Sequence, residues 1–191
     1  GGGARPSLPP DFVRRHRLEY HILDISAREL EKAPACFEKI QADICSPELS
    51  VSEEYDLVIS RFVAEHVPDG RLFYKNIRDL LADGGYTLHL FPTLFSLPFL
   101  INYLLPEPVA VRALDFFSPE ARKKRDKFPP HYSWCRGPSQ RQIQRLQDLG
   151  YEIVEYSGPF GPPYLNRLKP LKRFDRWLAD RLLDNPVPLL T

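Results

Sequence analysis

"YDLVISRFVAEHVPDGRLFYKNIRDLLADGGYTLHLF", residues 55–91, decides the fold. Its first part, Tyr55–Phe62, is a run of β-branched and apolar residues of strand length. Asp69 then stands where a helix N-cap belongs, ahead of Leu72, Phe73, Ile77, Leu80 and Leu81. That spacing lays one apolar stripe along a helix, which can pack on a sheet. Gly84-Gly85 is expected to end the helix with a left-handed residue, and Tyr86–Phe91 reads as the next strand. Strand, helix and strand at these lengths predict a right-handed crossover and parallel pairing.

The same alternation holds upstream. Leu18–Ser26, "LEYHILDIS", reads as a buried strand that ends in an acid. Ser26-Ala27-Arg28-Glu29 is a capping box for a short helix that Pro34 stops, and Phe37–Ile44 alternates like a second strand. Downstream the pattern dissolves between Pro92 and Pro138 and returns at Ser139-Gln140-Arg141-Gln142, a second capping box. Its helix carries Ile143, Leu146 and Leu149 on one face and ends at Gly150; Tyr151–Ser157 is expected to be a fifth strand and Leu171–Leu183 an amphipathic helix. One domain over residues 1–191 is the simplest organisation: a core at 1–91, a proline- and aromatic-rich lid at 92–138, and a C-terminal helix-strand-helix part at 139–191.

Composition narrows the classes. At 191 residues, 43% hydrophobic and 27% charged, the chain suits one globular α/β domain. A formal net charge of +1 supplies no field for steering onto nucleic acid, so no nucleic-acid partner is expected. Cys36, Cys45 and Cys135 are odd in number and follow no metal-ligand or disulfide spacing, which fits a reducing cytoplasm. The longest apolar stretch, Leu88–Pro106, is broken by Pro92, Pro98 and Asn102, too interrupted for a transmembrane segment. Methionine is absent, so a fragment or a processed product is expected; of 20 prolines, 14 follow residue 90, so the second half is not regular α/β throughout.

In an open parallel sheet, ligands bind outside the carboxyl ends of the strands. Asp24 ends the first apolar run; a carboxylate there can accept from both vicinal hydroxyls of a ribose, or serve as a turn residue. Asp43, with Ile44 beside it, can accept from an adenine amine while the isoleucine packs on the ring, or close a turn. Ser60-Arg61 ends the next strand and would face the reacting part of a ligand.

With these residues in place, "YHILDIS", "QADI", "YDLVISRFVAEHV" and "IRDLLADGGYTLHLFPT", in that order, resemble the class I S-adenosylmethionine-dependent methyltransferases. The resemblance runs from about Gly1 to Thr93 and continues more weakly through "IQRLQDLGYEIVEYS". It implies a Rossmann-like, mostly parallel sheet with flanking helices. By it, Asp24 and Ile25 hold the ribose, Asp43 and Ile44 the adenine, and Ser60 and Arg61 the methionine end of the cofactor. Glu65-His66 matches the family's "EH" and implies a pair that orients the following helix, with His66 the weaker alternative as a base. Gly1, Gly2 and Gly3 match the family's first glycine-rich loop. Gly1 lies 23 residues and Gly3 21 residues before Asp24, where such a loop belongs, although Arg5 replaces its third glycine. On that alignment the family's first strand is missing upstream and its last strand downstream.

The lid would cover the transferred methyl. Phe91, Tyr132 and Trp134 are the substrate-side candidates; His131 joins His66 as a weak candidate base, and no catalytic residue is assigned. Phe95, Phe99, Tyr103, Phe116 and Phe117 line a pocket or pack the lid, and Arg122–Arg125 is a cationic run that meets phosphate or solvent. The function this implies is methyl transfer from S-adenosylmethionine to an oxygen or nitrogen atom of a small-molecule acceptor. Two alternatives stay open: an NAD(P)-binding oxidoreductase, since glycines followed by an acid about 20 residues on also fit that fold, and a degenerate cofactor-binding module.

Overall fold

The computed structural model describes residues 5–92 and 131–157. The chain divides into two compact units, Gly1–Phe91 and Pro92–Thr191. Gly1, Gly2 and Gly3, the aromatic and cationic residues expected in the lid between 95 and 125, and the helix expected at 171–183 lie outside the described residues.

The first unit begins with helix α1, Pro10–Arg15, an element the sequence pattern does not mark. It starts without a side-chain cap but with proline in its first turn, where a fixed φ and a missing N–H cost nothing. Strand β1, His21–Asp24, leads into α2, Ala27–Glu31. Ser26 caps α2 as expected, its hydroxyl accepting from Glu29 N at 3.4 Å. Strand β2, Glu38–Gln41, pairs parallel to β1, with His21 opposite Glu38 and Asp24 opposite Gln41. Val13, Ile22, Leu30, Ala33 and Phe37 form the core between this pair and the two helices. Burial of each larger side chain contributes about 1.5–3 kcal/mol.

Strand β3, Tyr55–Arg61, is followed by a 3-10 turn at Ala64–His66 and by helix α3, Gly70–Asp79. Asp69 caps α3 through its carboxylate, which accepts from Leu72 N at 3.0 Å. Strand β4, Leu81–Leu90, pairs parallel to β3, with regular register from Leu57 opposite Tyr86 to Arg61 opposite Leu90. The chain is thus a mixed α/β protein with parallel strands joined through helices.

Four expectations need correction. The four described strands form two separate two-stranded sheets rather than one. β1 and β3 meet through side chains instead of a ladder: His21 Nδ1 lies 2.9 Å from the Tyr55 hydroxyl. Second, the strands expected at Leu18–Ser26 and Phe37–Ile44 are four residues each: turns at Asp24 and Asp43 end them early, and β1 also starts late, Leu18 N still donating back to Val13 O at 3.0 Å. Third, Gly84-Gly85 does not stop the helix, which ends at Leu80 in an ordinary right-handed conformation. The pair lies in the irregular start of β4, with Gly84 at φ +76°. A Cβ on Gly85 would lie 2.9 Å from the carbonyl oxygens of both Tyr55 and Ala82, so only glycine lets the strands close there. Fourth, Tyr151–Ser157 alternates but forms no strand, and Val154 is exposed.

In the second unit Ser139 caps the helix Gln140–Gln147, accepting from Gln142 N at 3.3 Å. Leu146 is buried, Ile143 and Leu149 are half-buried, and Gly150 follows at φ +89° as the sequence predicts. Tyr132 and Cys135 are buried, and the Arg145 guanidinium lies over the Trp134 ring at 5.3 Å. The Tyr156 hydroxyl donates to Arg136 O.

Candidate functional site

Contacts at both ends of the strands fix their common direction. The amino ends of β1 and β3 touch through His21 and Tyr55. Beyond the carboxyl ends, the loop after β2 meets the segment after β3: Cys45 Sγ donates to Asp69 O at 3.6 Å. Asn76 of α3 donates to both Ile44 O and Ser46 O at 2.8 Å. The carboxyl ends therefore open on one side of the first unit, and Asp24, Ile25, Asp43, Ile44, Ser60, Arg61 and Phe91 are all found there.

Asp24 is the most enclosed of these acids, at 8% exposure. One carboxylate oxygen accepts from Ser26 N at 2.9 Å, so Asp24 shapes the turn that sets its own direction. Ile25 beside it is exposed. Asp43 lies two residues past the end of β2 and is exposed; its carboxylate accepts from Cys45 N at 2.8 Å while half-buried Ile44 follows. Burial and then the Asp43 charge push the Cys45 thiol up to about 11, so it is protonated and inert at neutral pH. At each of these two turns one carboxylate oxygen accepts the backbone N–H two residues on.

At the end of β3, Ser60 is buried and Arg61 is exposed. The Arg61 guanidinium donates to Arg5 O at 3.1 Å, tying the strand end to the N-terminal segment. Phe62 follows at φ +57°, a left-handed conformation that is strained for a bulky side chain, and the residue is 56% exposed. Its N–H donates to Leu90 O at 2.8 Å, which holds the strained residue in place. Strain of about 1–3 kcal/mol kept at a strand end is a mark of ligand sites. Glu65 is 5% exposed, and burial pushes its carboxyl up to about 7. Among the described residues its Oε2 has no hydrogen-bond partner. His66 Nε2 lies 3.9 Å from Glu65 Oε1, beyond hydrogen-bond reach. Phe91 is half-buried just past β4.

His131 is exposed, Tyr132 is buried at φ +50°, and Trp134 is half-buried at φ +61°; all three belong to the second unit. Phe62 and the burial of Glu65 are not visible in the sequence, because neither backbone sign nor enclosure follows from a residue's type. Among the described residues no group of three or more His, Cys, Asp or Glu is arranged to hold a metal.

Residues 3–87 match the family model described as a methyltransferase domain. This span of the chain is a methyltransferase domain. The matched span ends inside β4 and contains every strand-end residue just described except Phe91. No curated protein matches the chain. Within the methyltransferase domain, Asp24, Asp43 and Ser60 offer polar groups on the side where a parallel sheet takes ligands. Asp24 and Asp43 are spent partly on turns, and Ser60 is held from the neighbouring strand: its Oγ lies 2.7 Å from His89 Nδ1.

Proposed function

We propose that the protein is an S-adenosylmethionine-dependent methyltransferase acting on an oxygen or nitrogen atom of a small-molecule acceptor, built on a Rossmann-like arrangement of parallel strands. Asp24 carries this reading: an enclosed carboxylate at the carboxyl end of a parallel strand, inside the span that matches a methyltransferase domain. The residues present fit the cofactor. Asp24 suits the ribose hydroxyls, Asp43 with Ile44 suits the adenine, and Ser60 offers a hydroxyl to the amino-acid end. When bound, the sulfonium supplies both an electrophilic methyl group and its own leaving group. The task left to the protein is to hold the ligand ends and align the acceptor, which by itself supplies much of the rate. Three cysteines, odd in number and without disulfide spacing, support a reducing, cytoplasmic setting. Among the described residues no helix is long and apolar enough to cross a membrane.

Calorimetric titration of the full chain with S-adenosylhomocysteine tests the reading. Asp24→Asn keeps an acceptor for Ser26 N, so the turn survives, but removes the charge; binding should weaken roughly tenfold to a hundredfold. Binding of NADH in place of S-adenosylhomocysteine, or of neither, overturns the proposal.

A further inference from the structure

A chain of hydrogen bonds crosses from β3 to β4 beneath the candidate site. Ser60 Oγ lies 2.7 Å from His89 Nδ1, His89 Nε2 lies 2.7 Å from Thr87 Oγ1, and Thr87 Oγ1 donates to Val58 O at 3.1 Å. Directions follow from counting protons. A backbone carbonyl only accepts, so the single Thr87 hydroxyl proton goes to Val58 O. Thr87 Oγ1 must then accept from His89, which places the ring proton on Nε2. A neutral imidazole has one N–H, so Nδ1 carries a lone pair and takes the Ser60 hydroxyl proton. The ring is packed against Phe73 and Tyr74, with centroids at 5.7 and 5.1 Å. Burial there pushes its pKa down to about 4, which keeps the ring neutral at ordinary pH.

What remains on Ser60 Oγ is acceptor capacity alone, and among the described residues the hydroxyl has no other partner. We propose that His89 is a positioning residue: by holding the Ser60 proton it makes that hydroxyl an acceptor-only contact, so the end of β3 selects a cationic amine and disfavours a carboxylate. The inference rests on the cofactor reading above, in which the α-ammonium group is the matching donor. A serine with a free rotor would serve donor and acceptor alike; the relay removes that freedom before the ligand arrives, so no ordering is left for the binding step.

Two measurements on the full chain test this. Histidine ring ¹⁵N–¹H spectra should show His89 protonated on Nε2 and bare on Nδ1 at neutral pH; the opposite tautomer overturns the proposal. Calorimetry should show S-adenosylhomocysteine binding roughly tenfold to a hundredfold tighter than its analogue lacking the α-amino group, the range for a hydrogen bond to a charged group. Ser60→Ala and His89→Leu should bring that ratio to about one. His89→Asn should restore it, because the amide oxygen can replace Nδ1 as acceptor. Binding of 5′-methylthioadenosine, which lacks the amino-acid end, should be the same in all four proteins. If the ratio survives Ser60→Ala and His89→Leu while the wild type binds both nucleosides, the relay proposal fails and the cofactor reading stands. If the wild type binds neither nucleoside, the cofactor reading fails and this proposal falls with it.

Discussion

The two faces of β4 carry opposite chemistry from what their environment suggests. Thr87 and His89 turn toward β3 and α3, where the His89 ring meets Phe73 and Tyr74. Tyr86, Leu88 and Leu90, on the alternate positions, stay 64%, 61% and 49% exposed. The polar set is enclosed and the apolar set is open. Alternation in a strand gives the period, but not which set faces inward. The enclosed polar set is tolerable because it is satisfied: both ring nitrogens of His89 and the hydroxyls of Ser60 and Thr87 have partners.

If the α3 side is the true interior, the largest loss should come from Phe73, which is 1% exposed. Phe73→Ala should lower stability by about 3–5 kcal/mol, read from chemical denaturation. It also removes one ring that packs His89, so the His89 pKa should rise toward its ordinary value. A loss below about 1 kcal/mol would contradict an interior on this side.

Two buried ionisable groups give pH dependences of opposite sign. Glu65 holds its proton more tightly folded than unfolded, with its pKa raised by burial from 4.5 to about 7. Its contribution is fully present below pH 4.5 and declines as pH rises to about 7. His89 is the reverse: its pKa falls from 6.5 to about 4, so stability is lost as pH falls across that window. At 1.36 kcal/mol per unit, each amounts to roughly 3 kcal/mol. Between pH 4.5 and 6.5 the slopes oppose each other and the wild-type profile is flattened. Glu65→Gln should expose a stability that rises with pH from about 4 to 6.5, and His89→Asn one that falls from about 4.5 to 7. Denaturant midpoints across pH 4–8 check both; variants that run parallel to the wild type would show that neither group is desolvated as the geometry requires.

What the sequence revealed and what it hid divide along the same line. The caps at Ser26, Asp69 and Ser139 were legible because a cap is decided within three residues. The strand-end positions of Asp24 and Ser60 were legible because an apolar run shows where it stops. The relay was not, since it depends on Ser60 standing opposite His89 across β3 and β4, 29 positions apart in the chain. Phe62 was hidden because nothing in its neighbours announces a positive φ, and Tyr151–Ser157 misled because alternation gives the period of a strand but not its pairing. Gly84-Gly85 was seen as special for the wrong reason: the requirement is a close approach to Tyr55 O, not a helix end.

The smallest expected effect is the sharpest test of the outer face. Leu88 lies between Tyr86 and Leu90 on that face and is 61% exposed. In a sheet covered on both sides, truncating a central leucine to a polar residue costs several kcal/mol, because a cavity is opened and a hydroxyl is desolvated. With the side chain largely in water, both terms are nearly absent, and Leu88→Thr also supplies a β-branched residue that suits a strand. The expected change is within about 0.5 kcal/mol, and His89, on the opposite face, should keep its ring tautomer. A loss above about 1.5 kcal/mol would mean that the outer face is covered in the folded protein and that β4 has two interiors rather than one. An unchanged stability together with a shifted His89 spectrum would mean instead that the two faces are coupled through the strand, so that the relay depends on the outer face as well as on Phe73 and Tyr74.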